Sequence, residues 1–375
     1  MPEIPKKIAV FGSFGYGNIG DEAVPVAFGR MARAAGVERA ILPLSRFAKA
    51  PMPGVVYRTD TAQLRAQLRP DAPVFLVGGG IIEPGPHSCL NRAVEVRRAT
   101  SPFPILPFAI SVEPGVRFGF SERRKLRRLL RGQPELLVRD EHSQTALSRL
   151  IDDIPIRVIG DIVLWLEPEP LPEPWAETLP ERYIAVTLAD TWKEAAFFDW
   201  LARDLARIAR DLQATVLLMP ISTAAGDDVA LHTALCQRLI TEHATPAQLL
   251  AFEGCPFPAP GWIAEVYRRA DLVISSRLHG CVIAYAQKTP FVGIGYHPKL
   301  AGFARTVGWE AMIVPRDLPS RQSPGAYGFA VSDLTFQEGI LHAASRAAIA
   351  CTDFSARDFF RMKQLQAFRH HDRPG

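Results

Sequence analysis

Short, fully apolar runs recur along the chain with amphipathic stretches between them. In the first half, residues 8–11, 40–44, 74–77, 105–110, 136–138 and 157–159 have the length and composition of buried strands. In the second half, residues 183–188, 215–219, 272–274 and 291–294 read the same way, with a further turn and strand within 306–315. The intervening segments carry helical spacing. Residues 21–35 open at Asp21, a suitable N-cap, hold Pro25 in the first turn and stop at Gly36. Residues 197–212 place Trp200, Leu201, Leu205, Ile208 and Leu212 on one face. Residues 141–150, 227–241 and 262–269 are also helical in pattern. Val282, Ile283 and Ala286 mark another helix, which Pro290 stops.

This β-α alternation occupies both halves without an internal repeat. Between them, residues 167–175 alternate proline with other residues. That pattern sustains neither a helix nor an inner strand, and predicts a semi-rigid extended linker. The expected organisation is α/β, with two doubly wound Rossmann-like domains at 1–166 and 177–330 joined by a linker at 167–176. Helices at 331–375 follow, and their apolar residues are expected to pack on the body.

Composition agrees with two cores. The chain has 375 residues, long for one domain, and is 48% hydrophobic. No apolar run approaches the ~18 residues of a membrane span. The N-terminal residues lack a signal-peptide apolar region, so a cytoplasmic location is expected. Cys89, Cys236, Cys255, Cys281 and Cys351 are scattered and form no Cys-x-x-Cys, which indicates neither a zinc site nor a disulfide framework. His370-His371 reads as a fraying terminus rather than a metal site. A net charge of +4 is too mild to suggest nucleic acid. The one concentrated basic run, 122–131, fits an amphipathic helix that either faces solvent or touches a membrane surface.

Ligands of open α/β sheets bind beyond the carboxyl ends of the strands. Arg277 and His279 fall there, beside a helix N-terminus that favours anions, and Lys299 follows the next strand on the same rim. These cations point to a small, strongly anionic ligand. Residues 12–22 follow the first strand with Gly12, Gly15, Gly17 and Gly20, then Asp21 and Glu22. A glycine loop entering a helix is suited to cradling phosphate or carboxylate. Gly15-x-Gly17-x-x-Gly20 also matches the dinucleotide fingerprint, but the next strand ends in Ser45-Arg46 rather than a carboxylate, an arrangement compatible only with NADP. Gly78-Gly79-Gly80 places backbone N–H groups on the same rim, or simply makes a tight turn. Residues 83–91, with His87, line a pocket or form a surface loop. Arg139 meets a ligand or a salt bridge, and Asp140 is placed to cap the following helix.

The run Ser275-Ser276-Arg277-Leu278-His279, followed by Tyr296-His297-Pro298-Lys299, closely resembles the signature of the polysaccharide pyruvyl transferase family. Gln287-Lys288-Thr289-Pro290 departs from it where a glycine before proline is usual, and His297 where an acid is common. The resemblance extends to Asn18-x-Gly20-Asp21-Glu22, the glycine triplet, Arg139-Asp140-x-x-Ser143 and Gly160-Asp161, so it covers most of the chain. It implies a glycosyltransferase-B type fold. It also implies transfer of pyruvate from phosphoenolpyruvate to a sugar as a ketal, with phosphate released.

On that resemblance the donor is held by Arg139 and Lys299, with Arg277 as a ligand or as a supporting ion pair, for instance to Asp271. Gly17, Asn18 and Gly78 to Gly80 belong to the substrate-binding set. His279 is the candidate general acid/base, since an imidazole titrates near neutrality, and Arg277 nearby favours its neutral form. Asp21 either activates an acceptor hydroxyl or caps its helix. Neither metal nor cofactor is implied beyond phosphoenolpyruvate as donor substrate. The acceptor is a sugar, free or lipid-linked, and a lipid carrier would make peripheral contact with the inner membrane face useful. Two other readings stand beside this one: a nucleotide-sugar-dependent glycosyltransferase of the same fold, and a non-catalytic sugar or anion binder. Retention of Arg277, His279 and Lys299 speaks against the latter.

Overall fold

The computed structural model describes residues 7–15, 17–37, 40–45, 74–80, 82, 91, 93–94, 105–189, 195–222, 228–253, 255, 258–295, 298–315 and 340–371. The first sheet contains β1 (Lys7–Gly12), β2 (Ala40–Ser45), β3 (Val74–Val77) and β4 (Ile105–Phe108) in the order β2-β1-β3-β4. β5 (Leu136–Val138) and β6 (Ile156–Val158) pair alongside, and a parallel bridge from Ile110 to Val138 carries the ladder across to them. With these strands go α1 (Ile19–Ala34), α2 (Phe120–Leu130) and α3 (Glu141–Ser148).

The second half contains α4 (Glu173–Ala176), β7 (Tyr183–Thr187), α5 (Ala195–Leu212), β8 (Thr215–Leu218), α6 (Asp228–His243), β9 (Ala247–Leu249) and α7 (Pro260–Arg269). β10 (Leu272–Ser275), α8 (Leu278–Ala286), β11 (Phe291–Gly295), α9 (Pro298–Val307) and β12 (Ile313–Pro315) follow, before α10 (Ile340–Ala350) and α11 (Ser355–His371). The six strands lie in the order β12-β11-β10-β7-β8-β9. All strand pairings in both sheets are parallel, and most described strand residues are buried, as layers covered on both faces require. Strand order reverses between β1 and β3 in one sheet and between β7 and β10 in the other. Crevices for ligands form at such reversals.

Local sequence accounts for most boundaries, and the exceptions have physical causes. α1 begins two residues before Asp21, because Asn18 is the cap: its backbone is extended and its side-chain oxygen accepts from Gly20 N–H at 3.2 Å. At its other end Gly36 turns at φ +85°, the left-handed step that ends a helix. Strand β4 stops at Phe108 rather than continuing to 110, since Ala109 turns at φ +52°. The proline-rich stretch is extended only in part. Its last residues form the single turn α4, with Pro174 in the first turn, where a missing N–H leaves nothing unpaired.

The two halves share a core. One continuous buried cluster runs from α1 through the 3-10 turn Ile162–Trp165 into the second sheet. Helix α11 then returns to the first half. There Phe368 stacks on Phe75 with ring centroids 5.4 Å apart and meets Phe28 and Phe108 edge-on. Arg30 of α1 also pairs with Glu167 and Glu169, but its side chain is half-buried and the two carboxylates are more open to water, so the pairs are screened. The apolar contact therefore dominates the fastening. Phe368→Ala should lower unfolding free energy by about 3–5 kcal/mol, whereas Arg30→Ala should change it by no more than about 1 kcal/mol; denaturant titration of the two variants measures the difference.

Candidate active site

The carboxyl ends of the two sheets bring together residues that lie far apart in sequence. Asn18 and Asp21 follow β1, the glycine triplet follows β3, Glu113 follows β4, Arg139 follows β5 and Asp161 follows β6. From the other half come His279 after β10 and Lys299 after β11. The halves touch beneath this cluster, where Ile19 N–H donates to the Ile221 carbonyl at 3.0 Å and Asn18 bridges Ser222.

His279 lies in the first turn of α8 and is buried. Its ring packs against the backbone of Gly20, and a β-carbon added to Gly20 would land on the imidazole. Across from Gly20, the His279 Nε2 lies 3.9 Å from Asp161 Oδ2 and makes no hydrogen bond to a described residue. Burial lowers the pKa of His279 to about 4; Asp161 opposes that shift, while Arg139 and Lys299 reinforce it. The ring is therefore neutral at neutral pH.

Asp161 is the hub. Its Oδ1 caps the 3-10 turn by accepting from Val163 N–H at 2.9 Å, and its Oδ2 lies 3.6 Å from Arg139 Nη1. Arg139 also donates through Nε to Asp140 at 3.0 Å, and its Nη2 is buried without a partner among the described residues. Burial opposes the charge on Arg139, but Asp140 and Asp161 hold its proton more tightly than usual. Asp140 is the expected helix cap, accepting from Ser143 N–H at 2.8 Å. Burial would raise its carboxyl, but Arg139 and the Ser143 bonds hold it below the usual range.

The glycine triplet acts by giving room. A β-carbon on Gly79 would lie 2.5 Å from Arg139 Nη1, and Gly80 N–H donates to Ser111 Oγ at 2.9 Å. Gly78 and Gly80 both have positive φ, and a side chain at Gly78 would press on Val24.

The glycine loop is not an open anion cradle. Gly15 and Gly17 turn their N–H groups inward at φ +84° and +90°, and both donate to Glu22 Oε1, at 2.7 and 3.1 Å. A carboxylate from the first turn of α1 thus fills the position where a dinucleotide fingerprint would hold a phosphate. Because Asn18 is the cap, Asp21 is free to face the cleft, where its Oδ2 accepts from Asn18 Nδ2 at 2.9 Å. Asp21 is half-buried by exposed area, yet protein surrounds it at longer range. That desolvation raises its pKa to about 7; Lys299 opposes the shift and Glu22 adds to it.

The rim cations are balanced rather than bare. Lys299, in the first turn of α9, forms a close ion pair with Glu113 across the cleft. Arg277 faces away from this cluster and grips buried Asp228 with two nitrogens, at 3.0 and 2.7 Å. Asp271 was the expected partner of Arg277, but it lies at the other end of β10, about 13 Å along the strand, and pairs with Arg182. Arg277 supports the wall of the site. His297, His87 and Arg46 lie outside the described residues.

Asp161 and Glu113 carry the centre of this geometry; from sequence Asp161 was noted only within the family-like Gly160-Asp161 pair, and neither acid was given a role. Their signal was positional: each is an acid a few residues beyond a strand end, as Arg139 is a base there.

Residues 18–298 match the family model described as polysaccharide pyruvyl transferase, a span that includes every residue of this cluster except Lys299. The chain belongs to the polysaccharide pyruvyl transferase family. It is therefore a transferase, and its family implies a sugar or polysaccharide acceptor. No curated protein matches the sequence.

Among solved structures, this pyruvyl transferase family member resembles UDP-GlcNAc 2-epimerase from Methanocaldococcus jannaschii at 11% identity and a TM-score of 0.57, over 96% of this chain and 99% of that one. It resembles the S. aureus MnaA–UDP co-structure at 9% identity and 0.56, over 98% and 96%. A glycosyltransferase from Rickettsia africae is similar at 10% identity and 0.51, over 99% of each chain. At these identities the likeness concerns the fold, which is of the glycosyltransferase-B type.

The packing of His279 on Gly20 gives a direct test. Gly→Ala within a helix ordinarily stabilises by about 0.5–1 kcal/mol. Gly20→Ala should instead displace the imidazole and cut transferase activity by about 10²-fold or more; steady-state kinetics with a crystal structure of the variant would reveal both changes.

Proposed function

We propose that this transferase moves pyruvate from phosphoenolpyruvate onto two hydroxyls of a sugar, forming a ketal and releasing phosphate. The observation that carries this is a pair of buried nitrogens, without partners among the described residues, on either side of Asp161. Arg139 Nη2 is a free donor on a guanidinium, and His279 Nε2 is a free position on a neutral imidazole. Buried polar groups without partners are rare and signal a ligand or a chemical role. Phosphoenolpyruvate carries a carboxylate and a phosphate on three carbons. Arg139 suits one of these through its planar fork, and Lys299 suits the other as a point charge once Glu113 gives it up.

The reaction moves protons as well as charge. The methylene carbon of phosphoenolpyruvate takes a proton, and the neighbouring carbon takes the first sugar oxygen as that hydroxyl loses its own. The second hydroxyl attacks the same carbon, phosphate leaves with the carbon–oxygen bond electrons, and the second proton departs with phosphate or solvent. Asp21 and His279 have acidities pushed in opposite directions, the arrangement that separates an acid from a base. Asp21 holds a proton below about pH 7 and supplies it to carbon. His279 is neutral above about pH 4 and accepts the proton of the attacking hydroxyl. The acceptor sugar is free or lipid-linked.

The sign of the pH dependence follows. With Asp21 required protonated, kcat/KM should fall as pH rises through about 7; with His279 required neutral, it should fall as pH drops through about 4. Asp21→Asn should lower the rate by about 10²–10⁴-fold and remove the alkaline limb.

The donor is tested separately. Phosphoenolpyruvate should raise the melting temperature where a nucleoside diphosphate does not, and phosphate should appear when a matching lipid- or nucleotide-linked sugar is added. His279→Ala should abolish phosphate release and keep the stabilisation by phosphoenolpyruvate. Stabilisation by the nucleotide alone would replace this reading with nucleotide-sugar chemistry in the same cleft.

A further inference from the structure

Helix α2 carries a charged surface that the cleft chemistry does not use. Between Arg117 and Arg131 the chain carries Arg117, Arg123, Arg124, Lys125, Arg127, Arg128 and Arg131 against one acid, Glu122. That exceeds the net charge of +4 on the whole chain. Helix geometry then arranges the charges. Phe120, Arg123, Arg124 and Arg127 stand at i, i+3, i+4 and i+7, so they form one stripe, and Arg131 continues it just past the helix end. All of these side chains are exposed, with Phe120 at 83%. The opposite face, Leu126, Leu129 and Leu130, is buried in the core of the first half, so the stripe is held rigidly outward.

The stripe works against the helix that bears it. Like charges at these spacings repel, and Arg123 stands in the first turn, where the helix dipole disfavours a cation. Glu122 offsets little of this, because its carboxylate accepts from Gly119 N–H at the helix start. Arg123 and Arg127 direct their Nε groups to the carbonyls of Phe118 and Leu150, contacts that leave their charge in place. Folding alone gives no reason for this surface.

We propose that this stripe docks the protein on an anionic phospholipid surface, with Phe120 entering the headgroup region and the arginines lying against the lipid phosphates. An aromatic ring beside a row of cations fits a lipid interface, which offers an apolar layer directly beneath the charge. A duplex nucleic acid or an acidic peptide matches the arginines but gives an exposed phenylalanine at one end of the row no comparable place; a single strand stacks a base on such a ring, and the RNA arm of the test separates that case. The position also suits the site. Glu113, which pairs with Lys299 in the cleft, lies seven residues before Phe120, so the membrane face is within about 25 Å of the chemistry along the chain. The docking does not depend on the pyruvyl-transfer reading, and its test uses no substrate.

The full-length protein is sedimented with phosphatidylcholine vesicles, with and without phosphatidylglycerol, at low and high salt. It should pellet only with phosphatidylglycerol, and high salt should release it. Arg124→Glu with Arg127→Glu should lower partitioning by about a hundredfold or more, and Phe120→Ser should lower it at unchanged salt dependence. Both variants should remain folded, with the double reversal melting no lower than the parent because it relieves like-charge repulsion on exposed side chains. Absence of phosphatidylglycerol-dependent pelleting, or wild-type pelleting by the double reversal, would overturn the proposal. So would binding to single-stranded RNA as tight as to these vesicles, whether or not it depends on Phe120, which would make the stripe a nucleic-acid site.

Discussion

The site depends on one close approach: the imidazole of His279 against the backbone of Gly20. Each doubly wound half ends its strands on a rim of short loops and helix starts, and a cleft enzyme must bring two such rims together. Here the first turns of α1 and α8 meet, and only a residue without a side chain at position 20 lets them come so near. The contact buries His279, and burial keeps the ring neutral. It also fixes the ring within reach of Asp161, which reaches Arg139 on its other side. Gly79 plays the same part for Arg139 that Gly20 plays for His279.

The electrostatics are those of a balanced site. Lys299 is held by Glu113, Arg139 by Asp140 and Asp161, and Arg277 by Asp228 beneath the wall. Cations gathered without counter-charges would repel one another and strain the fold, so each is matched internally. Desolvation, opposed by Lys299 and aided by Glu22 and Asp161, keeps a proton on Asp21 up to about neutrality.

Much of this was legible in the chain. The buried strands are short apolar runs, and most strand positions follow from them, as do the cap at Asp140 and the stop at Gly36. Helix α5 follows from its apolar face. β9 was not legible, because Ala247–Leu249 is a half-buried edge strand with a glutamine at its centre and no apolar run. Helix α9 was hidden in the signature segment, where Lys299 reads as a rim residue rather than as part of a first turn. The turn α4 was masked by prolines that a first helical turn tolerates. At the loop after β1, glycine spacing suggested a phosphate cradle, yet the acceptor of its N–H groups is Glu22, in the same sequence motif.

The sequence by itself determined which residue types stand at the strand ends, and with them the fold class and the family. Those properties are set locally, by apolar periodicity, caps and motif spacing. Only the tertiary structure decided which of those residues meet. Asp161 becomes the neighbour of His279 and the partner of Arg139, Glu113 that of Lys299, and Asp228 that of Arg277. Each pair is separated by tens to nearly two hundred residues in the chain, apart from any local pattern. Their meeting follows from how the two sheets are wound and how closely their rims are pressed together, and no short-range preference of the chain encodes that distance.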